Sequence, residues 1–149
     1  MAQPLRYAEA LLQRFARLAR AASVEQLLGG LVETAAQLSD CPLSQLYLLD
    51  ATHTRLTLSA EWHDGQPQPR AAASLPSDYD GEQLLQYCLC QNQTLCFLEL
   101  DHSVHATGFL PESPRPWRSL LCLPLPDEDG HVAGLLLAAS TQPRDLQSA

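Results

Sequence analysis

The apolar period of this chain changes at Cys41-Pro42, from helical spacing to strand alternation, which limits it to folds that lead with helices and build a sheet afterwards. Before the break, Leu5, Ala8, Leu12, Phe15, Ala19 and Ala22 follow an alternating three-and-four step, widened by Leu11 and Leu18, predicting a helix over 4–22. Pro4 suits its first turn. Such a stripe serves a helix packed on its own domain and a helix paired with its twin in a homodimer equally well. Ser23 with Gln26 three residues on forms a capping box. A second helix then runs to about Leu38, with Val24, Leu27, Leu28, Leu31, Val32, Ala35 and Leu38 on its buried side. Gly29-Gly30 weakens it by roughly 1 kcal/mol per glycine relative to alanine and invites close packing there.

After the break, 44–49 is a short apolar strand and Asp50 to His53 a turn. The stretch 55–62 alternates, which puts Leu56, Leu58, Ala60 and Trp62 on one face. A Gly/Pro loop over 64–69 leads to a weak strand at 70–75. Leu84, Leu85, Cys88 and Leu89 share one side of a helix predicted over 80–91, and 94–100 is a strand. The proline-rich segment 101–118 is too long for a plain connector. Two strands, 119–125 and 131–140, follow around Asp127-Glu128-Asp129-Gly130, whose Asp-Gly is a hairpin signal. The expected class is α+β, with helices on the faces of an antiparallel sheet of five to six strands.

Charge and thiols exclude several functions. The net charge is −8, unfavourable for direct contact with nucleic acid. Residues 1–22 hold four Arg against Glu9, net +3, and the rest five Arg against sixteen acids, net −11, so the first helix is set apart electrostatically. All nine basic residues are Arg, and without Lys there is no Schiff base and no P-loop. No apolar run approaches the roughly 18 residues of a membrane span. Five cysteines, an odd number without an export signal, point to free thiols in the cytoplasm.

The stretch from Arg118 to Ser140 resembles the terminal hairpin of a GAF domain, with Ser119, Pro124, Leu125, Gly130, Gly134 and Leu135 in the family's places. Gly81 before a helix, and Asn92 to Leu100 followed by Asp101, extend the similarity, and the element order carries it over nearly the whole chain. The resemblance implies a GAF-like (profilin-like) fold, divided as an N-terminal helix over 1–22, the domain over 23–140 and a tail over 141–149. The family's long closing helix is missing from that tail, which Pro143 interrupts. That implies a domain from a longer regulator, such as a sigma-54-dependent transcription activator, with its output module beyond the tail. The implied role is a regulatory sensor for a small molecule or partner protein, not an enzyme.

Within that family the residues narrow the choice. No Cys-His dipeptide is present for a bilin, and the Lys-containing motif of the cyclic-nucleotide subset cannot be supplied. Free methionine sulfoxide reductases use a pocket cysteine, and Cys88, Cys96 and Cys122 fall in the corresponding region, but His105-Ala-Thr-Gly108 stands where their His-Ile-Ala-Cys should be. Cys88 and Cys90, two apart on a helix, point to different sides, so no metal is expected. The pocket implied by the resemblance is lined by Tyr47, Trp62, Tyr87, Cys88, His102, His105, Phe109 and Trp117, with Arg118 at its rim. The sequence names neither the ligand nor a cofactor. Segment 101–118 is expected to close over the pocket as a lid anchored by Phe109 and Trp117. A filled core, with the domain serving only dimerisation or protein contact, is the alternative.

Overall fold

The computed structural model describes residues 24–68, 74–100, 109–144 and 146. The first helix, its pairing, the Ser23 cap, His102 and His105 lie outside the described residues. Among the described residues, two helices and seven strands follow in chain order: α1 Val24–Ser39, β1 Leu43–Leu49, β2 Arg55–His63, β3 Gln66–Pro67, β4 Ser74–Pro76, α2 Leu84–Gln91, β5 Leu95–Phe97, β6 Ser119–Pro126 and β7 Val132–Ser140. The class is the expected α+β. One antiparallel sheet runs β3-β2-β1-β7-β6-β5, with β4 also paired to β2. It exceeds the expected five to six strands because Asp64 and Gly65, at φ 53° and 77°, turn Gln66–Pro67 back onto β2.

The sheet is covered on both faces. α1 lies on one, where Val32 meets Leu46 and Ala60, with Leu28, Leu31 and Trp62 around them. Its stripe is rotated from the expected one. Thr34 and Ala36 are buried, Ala35 and Leu38 only half-buried, and Leu27 is exposed. A Cβ at Gly29 would meet nothing within 4 Å, so that glycine itself is not a point of close packing among the described residues. The helix ends in a Schellman motif. Asp40 takes φ 53°, and the Asp40 and Cys41 amides donate to Gln37 and Ala36 carbonyls. Arg144, from the segment after β7, donates to the Asp40 and Ser39 carbonyls at 2.7 and 3.1 Å, placing a cation on the negative end of the helix. Leu146 is buried against Cys41 and Ala138, so this part of the tail stays on the domain.

The opposite face carries the larger core: Leu43, Tyr47, Leu56, Leu58, Leu120, Cys122, Leu135 and Leu137 from the sheet, and Leu84, Leu85 and Cys88 from α2. α2 begins at Leu84, four residues later than expected, because Gly81 sits at φ 94° and Gln83 is extended. No helix among the described residues is long and apolar enough to cross a membrane.

Candidate functional site

Beside the larger core the sheet is not fully covered. A cavity of about 650 Å³ lies between β1, β2 and β4 on one side and the start of α2 on the other. That volume is within the range of small-molecule sites. Tyr47, Leu58, Leu75 and Phe109 form its apolar wall, Gln83 and Gln86 of α2 its polar wall, and Asp78 and Asp80 are exposed along it.

A chain of hydrogen bonds sets the apolar wall. Tyr47 donates its hydroxyl to Gln45 Oε1 at 3.1 Å, and Gln45 Nε2 donates to Glu61 Oε2 at 2.5 Å and to the Phe109 carbonyl at 3.2 Å. Gln45 is completely buried, so each of its polar atoms needs such a partner. The Phe109 ring stands edge-on to Tyr47, centroids 6.4 Å apart at 89°. Burial, with the Glu61 carboxylate adding to it, holds the Tyr47 phenol well above its ordinary range, so it is a fixed neutral donor. On the other wall, Gln86 is 3% exposed; its Nε2 donates to the Pro76 carbonyl at 2.6 Å, and its Oε1 has no partner among the described residues.

Of the residues expected around one pocket, Tyr47 and Phe109 line this cavity. Five others do not. Trp62 is on the α1 face, and the cause is a β-bulge. Tyr47 pairs with Leu58 but Leu46 pairs with Ala60, so Ser59 is an extra residue and the alternation reverses across it. Leu56 and Leu58 therefore face the larger core, and Ala60 and Trp62 the other. Tyr87 stacks at a tilt on Tyr79, centroids 5.3 Å apart. Cys88 is inside the core, its thiol donating to the Gln93 and Cys122 carbonyls at 3.4 and 3.7 Å. Trp117 donates Nε1–H to the Pro111 carbonyl at 2.8 Å, contacts the His63 ring and lines a separate crevice of about 200 Å³. Arg118 makes a two-pronged pair with Glu99, at 2.6 and 2.9 Å. Sequence reasoning missed Gln45 and Gln86. The signal was available: each is a glutamine set between core leucines, Leu43 and Leu46 or Leu84 and Leu85 with Cys88.

The five thiols are free. Its hydrogen bond to the Cys88 sulfur, and then burial, push the Cys122 thiol well above its ordinary value, which makes it a poor thiolate. Among the described residues, Asp127, Asp129 and His131 bring their ligand-type atoms within 4.8 Å of one another, all exposed. Asp127 Oδ1 already accepts the Asp129 and His131 amides and so closes the hairpin turn.

Solved structures match this arrangement. The GAF domain of a phosphoenolpyruvate-protein phosphotransferase from Acinetobacter superposes with a TM-score of 0.72 at 20% identity, over 93% of this chain and 78% of that one. That of Coxiella burnetii gives 0.73 at 17%, over 93% and 79%. The chain has the GAF fold. The free methionine-R-sulfoxide reductase of Neisseria meningitidis, solved with its substrate, shares the GAF fold at a TM-score of 0.67 and 21% identity, over 92% of this chain and 74% of that one. No family model and no curated protein matches the sequence.

Proposed function

We propose that the chain is a regulatory sensor domain, not an enzyme, whose cavity between Tyr47, Phe109 and Gln86 takes a small organic ligand. The observation that carries this reading is a pre-formed hollow of about 650 Å³ on a fold shared with GAF domains. Ligand contact with Phe109 would pull on the segment that leads to Trp117 and β6. A signal arises only if the ligand binds two arrangements of that segment unequally. The output is an attached domain, a sigma-54-dependent transcription activator being the parent that the sequence suggests, and the helix over 1–22 pairs two copies in the cytoplasm. Protein-observed NMR against a library of small metabolites tests the cavity. Saturable shifts should gather at Tyr47, Leu58, Leu75 and Phe109 and vanish in Leu75→Trp, which fills the space. Shifts that gather elsewhere, or survive Leu75→Trp, would refute it.

A second reading, a free methionine sulfoxide reductase, draws on the hydrogen-bonded thiols of Cys88 and Cys122. Both thiols are fully buried and neither lines the cavity, which favours the sensor. Turnover of free methionine-R-sulfoxide with a thiol reductant, lost in Cys122→Ser, would reverse that preference.

A further inference from the structure

Thr34 is only 5% exposed, although it lies on the side of α1 turned from the sheet. At about 100° per residue, it points about 160° away from Val32, which α1 packs on Leu46 and Ala60. The strands that bury Val32 therefore do not cover Thr34. Leu27, Leu31, Thr34 and Leu38 follow one another at steps of four, three and four, and so make a second stripe along the outer side of α1. Leu31 also touches the sheet core and joins the two faces, Leu38 is half-buried and Leu27 is exposed. A threonine this deeply buried in such a stripe marks an interaction surface that is covered within a single chain.

We infer that residues 4–22 of the same chain cover this surface, returning along α1 as an antiparallel helical hairpin about Ser23. The spacing carries the assignment. Counting outward from Ser23 in both directions sets Ala19 against Leu27, Phe15 against Leu31, Leu12 against Thr34 and Ala8 against Leu38. Both stripes step by four, three and four, and a smaller residue faces a larger one at three of the four levels, as close-packed helices require. The length agrees. The 16 residues of α1 span about 24 Å, and residues 4–22 suffice to run back over them. The charge agrees too, residues 1–22 at net +3 lying against a remainder at −11. The other candidates start and end elsewhere: 69–73 between β3 and β4 at the β2 edge, and 101–108 between β5 and Phe109, which packs on the opposite face. The three residues after Leu146 are too few to follow α1. The inference is independent of the cavity. A helix seated on α1 offers a second copy only its other side, so seating and pairing are separate properties.

Methyl NOEs in the full chain, labelled at Ala, Leu and Thr, test it. The Thr34 methyl should show NOEs to Leu12, and the Leu38 methyls to Ala8. In an equal mixture of labelled and unlabelled chains, an isotope-filtered experiment should lose both, because each pair lies within one chain. Leu12→Glu should release the segment, so that amides over 5–20 exchange about tenfold faster or more while β1 and β7 keep their protection. Thr34→Glu, from the other side of the same contact, should do likewise. NOEs that survive the isotope filter would give the surface to a second copy and overturn the inference. So would a Thr34 methyl with no NOE to residues 4–22, or exchange over 5–20 that neither substitution changes.

Discussion

Gln45 and Phe109, 64 positions apart, are joined by a hydrogen bond of 3.2 Å from a fully buried side-chain amide to a backbone carbonyl. It ties the segment before β6 to the middle of the sheet, at the wall of the cavity. Gln45→Leu fills similar space but strands the Tyr47 hydroxyl, the Glu61 carboxylate and the Phe109 carbonyl. The expected loss is about 2 kcal/mol of unfolding free energy, measured by denaturant titration. Amide exchange just after Phe109 should accelerate more than exchange in β7. Unchanged stability and exchange would mean that the bond does not hold the segment.

Two glycines should respond in opposite directions. Gly134 in β7 passes so close to β1 that a Cβ would run into the Tyr47 carbonyl oxygen and crowd Leu48. Gly134→Ala should cost about 1–3 kcal/mol, the usual cost of overpacking. Gly29, on α1, has open space where its Cβ would be, so Gly29→Ala should gain roughly 0.5–1 kcal/mol of helix propensity. Thermal melts of the two variants check the signs, and a stabilised Gly134→Ala would contradict the contact.

The bulge at Ser59 makes a deletion prediction that propensity alone would not. Removing Ser59 leaves Leu58 opposite Tyr47 and Ala60 opposite Leu46, so both halves of β2 keep their faces and the loss should be small. Removing Thr57, a paired residue, shifts Leu56 off the core face, where it is completely buried. That deletion should cost about 2 kcal/mol or more from Leu56 alone. Comparable melting temperatures for the two deletions would refute the assigned register.

Tyr47 should give a pH signature on the alkaline side. Burial, and then the Glu61 carboxylate, raise its phenol well above the ordinary value, so the unfolded chain gives up that proton first, near pH 10. The contribution is fully present below that pH and is lost as pH rises through it towards the folded-state value. Denaturant titrations from about pH 8 to 11 should show a steeper fall for the wild type than for Tyr47→Phe, which has no proton to lose. Equal slopes would show that the phenol ionises as readily in the folded chain as in the unfolded one.

The sequence by itself determined the order of elements, the α+β class and the closing hairpin. Period 3.6 in α1, the aliphatic runs of β6 and β7 and the Asp-Gly turn are local signals, set by how neighbouring residues bury one face. The apolar run 44–49 also marked the strand that carries Tyr47. What only the tertiary structure decided was which side each later residue serves. Ser59 carries no mark of a bulge, yet one unpaired residue there reverses the alternation of β2 and takes Trp62 from the cavity side to the α1 side. Gln86 is a polar residue among the apolar ones of α2. It becomes a buried wall because the Pro76 carbonyl, ten positions earlier, comes back to accept its amide. Phe109 meets Tyr47 from a distant segment whose carbonyl Gln45 holds. Side-chain pairing between distant strands selects the register, and with it the faces, so a site built from both sides of a sheet is fixed only when the sheet closes.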